Sequence, residues 1–150
     1  MEQLVAATLP LGLLPKVVPE FKHITVGGAV MGAALESSSH RHGQFLDICP
    51  TVTVLCGDGS VKECSSVKNA ELYHALSGSY GSLAILLLAD ISLQHAAPFV
   101  KIHYSLFRSI DQGVRGLKSA CNLSPPPEFI EGLALPHSNN TLVITADFAP

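Results

Sequence analysis

The sequence predicts a mixed α+β fold, because short β-like and helix-like segments alternate along it without an internal repeat. Residues 51–55 and 61–64 are rich in apolar and β-branched side chains, and the Asp58–Gly59 step between them favours a tight hairpin turn. Residues 70–76 and 109–120 are compatible with helices, and Asn69 can cap the first of them. A chain of 150 residues has the size of a typical domain and can bury a core.

The composition is apolar, with 47% hydrophobic and 14% charged residues, where charged residues usually make up about a quarter. Such sparse charge indicates either a compact, well-buried domain or faces that contact more protein, a ligand or a membrane. A net charge of −3 without a basic block excludes the footprint of a nucleic-acid-binding protein. The longest apolar run, residues 83–89, is far shorter than the roughly 20 residues of a membrane helix. Residues 1–15 lack the charge pattern and cleavage site of a signal peptide.

The first third of the chain predicts an extended segment, a strand–turn–helix unit and a loop. Prolines among aliphatic residues favour extended backbone over residues 9–19. Residues 24–26 form a short β-like run, the paired glycines Gly27 and Gly28 follow, and residues 29–35 are compatible with a helix. The Ser/His-rich residues 37–43 then form a polar loop.

The remaining segments predict mainly strands. Glycines make residues 78–82 a flexible turn, and the apolar residues 83–93 predict a buried strand, although their periodicity also allows a helix. Residues 100–106 alternate between polar and apolar and predict another strand. Residues 129–135 and 141–146 predict a strand pair.

The cysteine pattern does not indicate a metal or redox site. No pair has the C-x-x-C spacing of a zinc knuckle or a thioredoxin-like centre. We expect reduced, buried thiols, as in proteins that face the cytosol. The four cysteines are Cys49, Cys56, Cys64 and Cys121.

The glycine-rich residues 25–32 are the main candidate for a binding segment. Glycines allow backbone to approach a ligand closely, and free amides at the start of a helix favour an anion. The spacing is not G-x-G-x-x-G, and no Gly-Lys-Ser/Thr follows, so neither a Rossmann fingerprint nor a P-loop is present. From spacing alone, a purely structural turn remains the alternative.

The polar loop that contains His40 and His42 has three possible roles. No G-x-S-x-G elbow is present to activate a serine nucleophile. The two histidines could supply two metal ligands, but spacing identifies no third, so we expect no metal site. Solvated histidines and contacts to a bound cofactor remain, and no catalytic residue is assigned.

Taken together, these segments resemble the flavin domain of the vanillyl-alcohol-oxidase-type flavoproteins, and the resemblance is closest to the delta-24-sterol reductases. It covers nearly the whole chain. Five motifs carry it: Leu14-Pro15-x-Val17-Val18-Pro19-Glu20, Thr25-Val26-Gly27-Gly28 with Met31-Gly32, Glu36-Ser37-Ser38-Ser39-His40 with Gly43, Gly57-Asp58-Gly59-Ser60, and Phe129-Ile130-Glu131-Gly132-Leu133.

The resemblance implies an FAD-dependent oxidoreductase that reduces a sterol side-chain double bond with NADPH as electron donor. It implies a location at the endoplasmic reticulum membrane, facing the cytosol, with membrane association through segments outside this chain. It also implies the following FAD-binding residues: Thr25, Val26, Gly27, Gly28, Ala29, Val30, Met31, Gly32, Ala33, Ala34, Leu35, Glu36, Ser37, Ser39, His40, Gly43 and Ile85.

By the same resemblance, the chain is a fragment of a longer enzyme. Residues 1–97 correspond to the second half of a PCMH-type FAD-binding domain, and residues 98–150 to the start of a substrate (cap) domain, with a composition shift near Pro98. Ala84 departs from the pattern, because the family usually has glycine there. The alternatives are another FAD-linked oxidase or dehydrogenase of the same superfamily, and a non-catalytic relic of a flavin domain.

Overall fold

The computed structural model describes residues 1–150, and the chain folds into two compact units, Met1–His95 and Ala96–Pro150. Each unit combines helices with antiparallel sheet, so the predicted α+β class is confirmed. The α-helices are α1 (Glu2–Thr8), α2 (Val26–Met31), α3 (Ser39–His42), α4 (Ala70–Leu76) and α5 (Ile110–Cys121). The strands are β1 (Leu13–Pro15), β2 (Thr51–Cys56), β3 (Val61–Cys64), β4 (Ala84–Asp90), β5 (Leu93–His95), β6 (Phe99–Phe107), β7 (Phe129–Ala134) and β8 (Thr141–Ala149).

The first unit is built on a three-stranded sheet in the order β3-β2-β4, and it also contains a separate two-stranded ladder of β1 and β5. Side chains alternate along β2, with Val52 and Val54 buried and Thr51 and Thr53 half-buried. These valines join one core cluster with Phe45, Leu76 and the buried residues of α2. A short 3-10 turn at Phe45–Ile48 contributes three of its four side chains to the same core.

The second unit is a three-stranded antiparallel sheet in the order β6-β8-β7 with α5 packed on one face. The helix approaches the sheet closely because glycines lie at the contacts. A Cβ atom at Gly116 would lie 2.6 Å from Phe107 Cζ, and one at Gly132 would lie 2.7 Å from Leu117 Cδ1. The helix begins at a predicted position, where the Ser109 hydroxyl accepts a hydrogen bond from the Gln112 amide.

Most of the segments with strong local signals form as predicted. The β2–β3 hairpin turns at Asp58 and Gly59, and the carboxylate of Asp58 accepts hydrogen bonds from the amide and hydroxyl of Ser60. These bonds hold the pKa of Asp58 below its usual value. Helices α4 and α5, the turn at residues 78–82, strand β6 and the β7–β8 pair are also confirmed.

Four predictions about the first unit are wrong in part. Residues 9–19 are not wholly extended, because Leu9–Leu11 forms a 3-10 turn directly after the unpredicted helix α1. Residues 24–26 are not a strand, since α2 begins at Val26 and ends at Met31, well before Leu35. The polar loop contains the single-turn helix α3. Asn69 precedes α4 but does not cap it, because its side-chain amide donates to the Glu63 carbonyl instead.

Two predictions about burial also need correction. Residues 83–93 do not form one buried strand: they divide into β4 and β5, and Ile85, Leu87 and Leu88 are exposed. Cys121 is exposed at the end of α5, whereas Cys49 and Cys64 are buried as expected. Strand β4 lies at the edge of its sheet, where fewer neighbours cover an apolar side chain than in the centre.

Candidate functional site

The two glycine-rich segments of the first unit meet at a cleft of about 400 Å³. This volume lies within the range of small-molecule pockets. Helix α2 forms one part of its lining, and the turn before β4 together with the start of β4 forms the other. The lining residues are Thr25, Gly27, Gly28, Met31, Gly32, Tyr80, Gly81, Ala84, Ile85 and Leu86.

Thr25 organises the start of α2. It has extended backbone, with φ −79° and ψ 152°, and its side-chain oxygen accepts a hydrogen bond of 2.9 Å from the Gly28 amide. This is the geometry of a threonine N-cap. A Cβ atom at Gly28 would lie only 2.9 Å from the Thr25 hydroxyl oxygen, so a larger residue at position 28 would disturb the cap.

Helix α2 ends in a tight turn that leads away from the cleft. The Gly32 and Ala34 amides donate to the Gly28 and Ala29 carbonyls, and Ala33 between them is left-handed, with φ 55°. This arrangement resembles a Schellman motif with alanine at the position that usually holds glycine. The chain therefore turns sharply within two residues of Gly32, the last residue of this segment that lines the cleft.

One backbone hydrogen bond joins the second glycine segment to the first. The Tyr80 amide donates to the Met31 carbonyl at 3.0 Å. Gly78, Tyr80 and Gly81 all have positive φ values, and the Ser79 hydroxyl donates to the Leu76 carbonyl at 2.7 Å. The turn is thus held by its own bonds and anchored to the end of α2.

The lining of the cleft carries no charged side chain. Its polar side chains are the hydroxyls of Thr25 and Tyr80. Since the Thr25 oxygen accepts from Gly28, its hydrogen remains able to donate to a ligand. The amides of Val26 and Gly27 have no acceptor within the protein. A cleft of this kind suits a neutral, largely flat group that is contacted by backbone and apolar side chains.

Only some of the predicted cofactor-binding residues line the cleft. Residues that line it are Thr25, Gly27, Gly28, Met31, Gly32 and Ile85. Ala29 and Val30 belong to the same short helix, but they are fully buried in the core because the helical period turns them away from the cleft. Val26, Ala33, Ala34 and Leu35 do not line the cleft, and Leu35 is exposed.

The other predicted residues, in the segment 36–43, form a separate polar turn. The Glu36 carboxylate accepts from the amides of Glu20, at 2.6 Å, and Ser37, at 3.1 Å. The Glu36 amide donates to the Ser39 hydroxyl at 2.8 Å, and His40 Nδ1 lies 3.0 Å from the Ser37 carbonyl. A Cβ at Gly43 would clash with the Asp47 carboxylate. These polar groups stabilise the turn itself, and none of them lines the cleft.

Comparison with known proteins relates the chain to oxidoreductases, although no family model matches it. It is 34% identical to the human Delta(24)-sterol reductase over 139 residues, which are 89% of this chain and 26% of that protein. The pea Delta(24)-sterol reductase is 33% identical over 105 residues, covering 69% of this chain and 18% of that protein. The chain is a relative of the delta(24)-sterol reductases. The resemblance inferred from its motifs is thereby confirmed.

The cytokinin dehydrogenases are a second group of relatives. Cytokinin dehydrogenase 1 of Arabidopsis thaliana is 31% identical over 108 residues, which are 70% of this chain and 19% of that protein. The chain therefore spans about a quarter or less of the length of the curated relatives that it matches. A segment of this length is shared by a reductase and a dehydrogenase.

Four residues that line the cleft were not among the cofactor-binding residues predicted from the sequence. They are Tyr80, Gly81, Ala84 and Leu86. The signal was present in the glycine turn at residues 78–82, but only Ile85 of this region was assigned to the cofactor. No local pattern showed that the turn hydrogen-bonds to Met31, 49 positions before Tyr80 in the chain.

The groups whose pKa is raised by burial lie outside the cleft lining. The pKa of the Cys49 thiol is raised to about 12, chiefly by burial and in addition by the nearby carboxylates of Asp47 and Asp90. Burial is also the largest cause of the raised pKa values of Cys64 and Tyr73. The structure places no three metal-ligating side chains together. None of its helices has the length and apolar character needed to cross a membrane.

Proposed function

We propose that the chain forms part of the FAD-binding domain of an FAD-linked oxidoreductase, and that the cleft holds one moiety of FAD. The observation that carries this proposal is the meeting of residues 25–32 and 80–86 in one uncharged cleft. Ligand pockets combine apolar walls with a few oriented polar groups, and here the Thr25 hydroxyl and the backbone of α2 supply those groups.

The two groups of relatives support a cofactor role for this segment. The two groups of relatives are named for different reactions, one a sterol reduction and the other a cytokinin dehydrogenation. A region similar to both kinds of enzyme is better suited to a shared cofactor than to either substrate. Cofactors carry the redox chemistry in such enzymes, while the protein binds and orients them.

The lining fits a flat cofactor moiety. A Cβ atom at Gly27 would meet only Leu86 Cδ2, at 4.0 Å, so the missing side chain leaves open space on the cleft side of the helix. Thr25 would donate a hydrogen bond to the bound group, and the apolar side chains of Ala84, Ile85 and Leu86 would exclude water from it. When bound, FAD supplies the hydride transfer that the residues of this chain cannot perform themselves.

We extend the proposal to a specific reaction on the strength of the sterol reductase relatives. The parent enzyme would reduce a sterol side-chain double bond with NADPH and would lie at the endoplasmic reticulum membrane. Residues 1–97 would belong to a PCMH-type FAD-binding domain and residues 98–150 to the start of a cap domain. Contacts from residues 36–43 to FAD remain part of this proposal.

A second candidate function is a non-catalytic member that has lost cofactor binding. Ala84 is buried and lines the cleft at a position where the family resemblance leads us to expect glycine. Its methyl group takes up space that a cofactor would use. This candidate predicts a purified chain that does not retain flavin even after incubation with FAD.

The decisive experiment compares three proteins: the wild-type chain, Gly27→Ala and Gly57→Ala. Each is incubated with FAD, desalted, and examined for flavin absorbance. At Gly27 the added Cβ projects into the cleft without a close protein contact, and a helix favours alanine over glycine by about 1 kcal/mol. At Gly57, in the hairpin, an added Cβ meets nothing within 4 Å, so this variant is the matched control.

We expect the wild-type chain and Gly57→Ala to retain flavin, and Gly27→Ala to retain several-fold less although it is at least as stable. Equal retention by Gly27→Ala would place FAD elsewhere on the chain. A wild-type chain without flavin would favour the non-catalytic candidate. Retention by the wild type would justify assaying sterol reduction with NADPH, with cytokinin oxidation as the competing reaction.

A further inference from the structure

Tyr80 has an exposed ring and a left-handed backbone, and neither feature is needed for the packing of the core. Its side chain is at the cleft and the residue is 82% exposed, so it contributes little to the core. No aromatic ring of the protein packs against it. Its backbone is left-handed, with φ 52°, a conformation that costs a residue other than glycine roughly 1–2 kcal/mol. A large aromatic residue is thus held at a strained position where it faces solvent.

The surrounding hydrogen bonds fix the backbone of Tyr80 and leave its ring free. The Tyr80 amide donates to the Met31 carbonyl, and the Ser82 hydroxyl donates to the Ser79 carbonyl at 2.7 Å. Strained backbone that is held by its surroundings is concentrated at binding and active sites. The turn therefore presents the ring in one place at little further cost in backbone entropy on binding.

Gly32 leaves space beside this ring. A Cβ atom at Gly32 would lie 3.9 Å from Tyr80 Cε1, so any larger side chain there would contact the ring from the α2 side. With glycine at this position, the ring borders the open, uncharged cleft. A flat aromatic group in the cleft could then reach the ring.

We infer that Tyr80 is a ligand-positioning residue that stacks on a planar heteroaromatic ring of the bound cofactor. This inference rests on the proposed FAD function and deepens it, because it assigns a moiety to the cleft. The isoalloxazine and the adenine of FAD are both flat ring systems that an aromatic side chain can stack on. Offset stacking is the favoured geometry for such pairs.

The test uses Tyr80→Ala, Tyr80→Phe and the control Tyr104→Ala, which removes another exposed tyrosine from the second unit. Dissociation constants for FAD are measured by equilibrium dialysis, and circular dichroism checks that each variant is folded. Loss of one stacked aromatic ring weakens the binding of a nucleic-acid base by about 5-fold to 150-fold. We expect a weakening of at least 5-fold for Tyr80→Ala, and near wild-type binding for Tyr80→Phe and Tyr104→Ala.

Two smaller ligands identify the ring. If Tyr80 stacks on isoalloxazine, Tyr80→Ala weakens the binding of riboflavin and raises the fluorescence of bound FAD, while ADP binding does not change. If the ring is adenine, ADP binding weakens and riboflavin binding does not. Either result supports the inference.

Three results would overturn it. Equal FAD affinity of the wild type and Tyr80→Ala would remove the role of Tyr80 and leave the proposed function intact. Equal weakening by Tyr80→Phe and Tyr80→Ala would assign the contact to the hydroxyl rather than to stacking. A wild-type chain that does not bind FAD would overturn both this inference and the proposed function.

Discussion

At the scale of single residues, Cys49 shows how burial governs chemical behaviour in this chain. The residue is fully buried, its thiol lies 3.2 Å from the Phe45 carbonyl as a hydrogen-bond donor, and its pKa is raised from 9.0 to about 12. The Tyr73 hydroxyl lies 2.9 Å from both the Leu46 and the Cys49 carbonyls. A neutral thiol and phenol therefore occupy the core beneath the 3-10 turn, and neither is suited to act as a nucleophile.

Alkaline pH should destabilise the fold through Cys49. Because the folded pKa is raised, the unfolded chain loses this proton first, so stability is complete below pH 9 and falls between pH 9 and about 12. One such proton contributes a slope of at most about 1.4 kcal/mol per pH unit. Urea unfolding from pH 8 to 11 should show a shallower decline for Cys49→Ala than for the wild type. Cys121→Ala, which removes an exposed thiol, should follow the wild type, and identical slopes for all three proteins would contradict the prediction.

At the scale of elements, the packing of α5 on its sheet depends on glycine at the contact. Gly116 lies against the Phe107 ring, and Gly132 of β7 lies against Leu117. Gly113 is likewise covered by Thr141. These small residues let the helix axis approach the strands closely, at the cost of a lower helix propensity.

Gly116→Ala should therefore destabilise the second unit, although alanine is the better helix former. The added Cβ would lie 2.6 Å from Phe107 Cζ, closer than real contacts allow, and overpacking of this kind costs about 1–3 kcal/mol. This cost exceeds the gain of about 1 kcal/mol in helix propensity. Ser119→Ala on the exposed side of α5 is the control and should be neutral or stabilising. A higher urea midpoint for Gly116→Ala would show that the helix can move away from the sheet.

At the scale of the whole molecule, the exposed apolar surface is the dominant feature. Side chains alternate along β6, so Val100, Ile102, Tyr104 and Leu106 lie on one face while Phe107 lies on the face covered by α5. All four of these residues are exposed, as is Leu133 on the same face of β7. Large contiguous apolar patches on a protein surface commonly mark contacts with other molecules or a tendency to aggregate.

We expect the isolated chain to associate as its concentration rises, because this face would then be removed from water. The double variant Ile102→Thr with Leu106→Thr makes this face more polar. Threonine is β-branched and favoured in strands, so β6 should still form. Sedimentation velocity should show a larger monomer fraction for this variant than for the wild type at the same concentration. Val61→Thr, at an exposed position of the first unit, should leave the distribution unchanged. A wild-type chain that stays monodisperse at high concentration would contradict the expectation.

Local interactions explain which parts of the fold could be predicted from the sequence. The predicted turn at Asp58–Gly59 depends on a bond between residues two positions apart, and the helix predicted over residues 109–120 begins with a Ser109 cap that spans three positions. The prediction of a strand over residues 24–26 was wrong because local and tertiary contacts together outweighed propensity. β-branched residues at 24–26 favour a strand by propensity, but the Thr25 cap and the burial of Ala29 and Val30 in the core stabilise a helix there.

The sequence by itself determined the α+β class, the glycine segments and the kinship with the delta(24)-sterol reductases, because each depends on local patterns or on motif order. Only the tertiary structure decided which predicted residues share a site. It brought Tyr80 to the end of α2 through a bond to Met31, turned Val30 into the core, and kept the Glu36–Gly43 turn out of the cleft lining. The physical reason is that a cleft is made by contacts between distant segments, and those contacts are set by core packing and long-range hydrogen bonds.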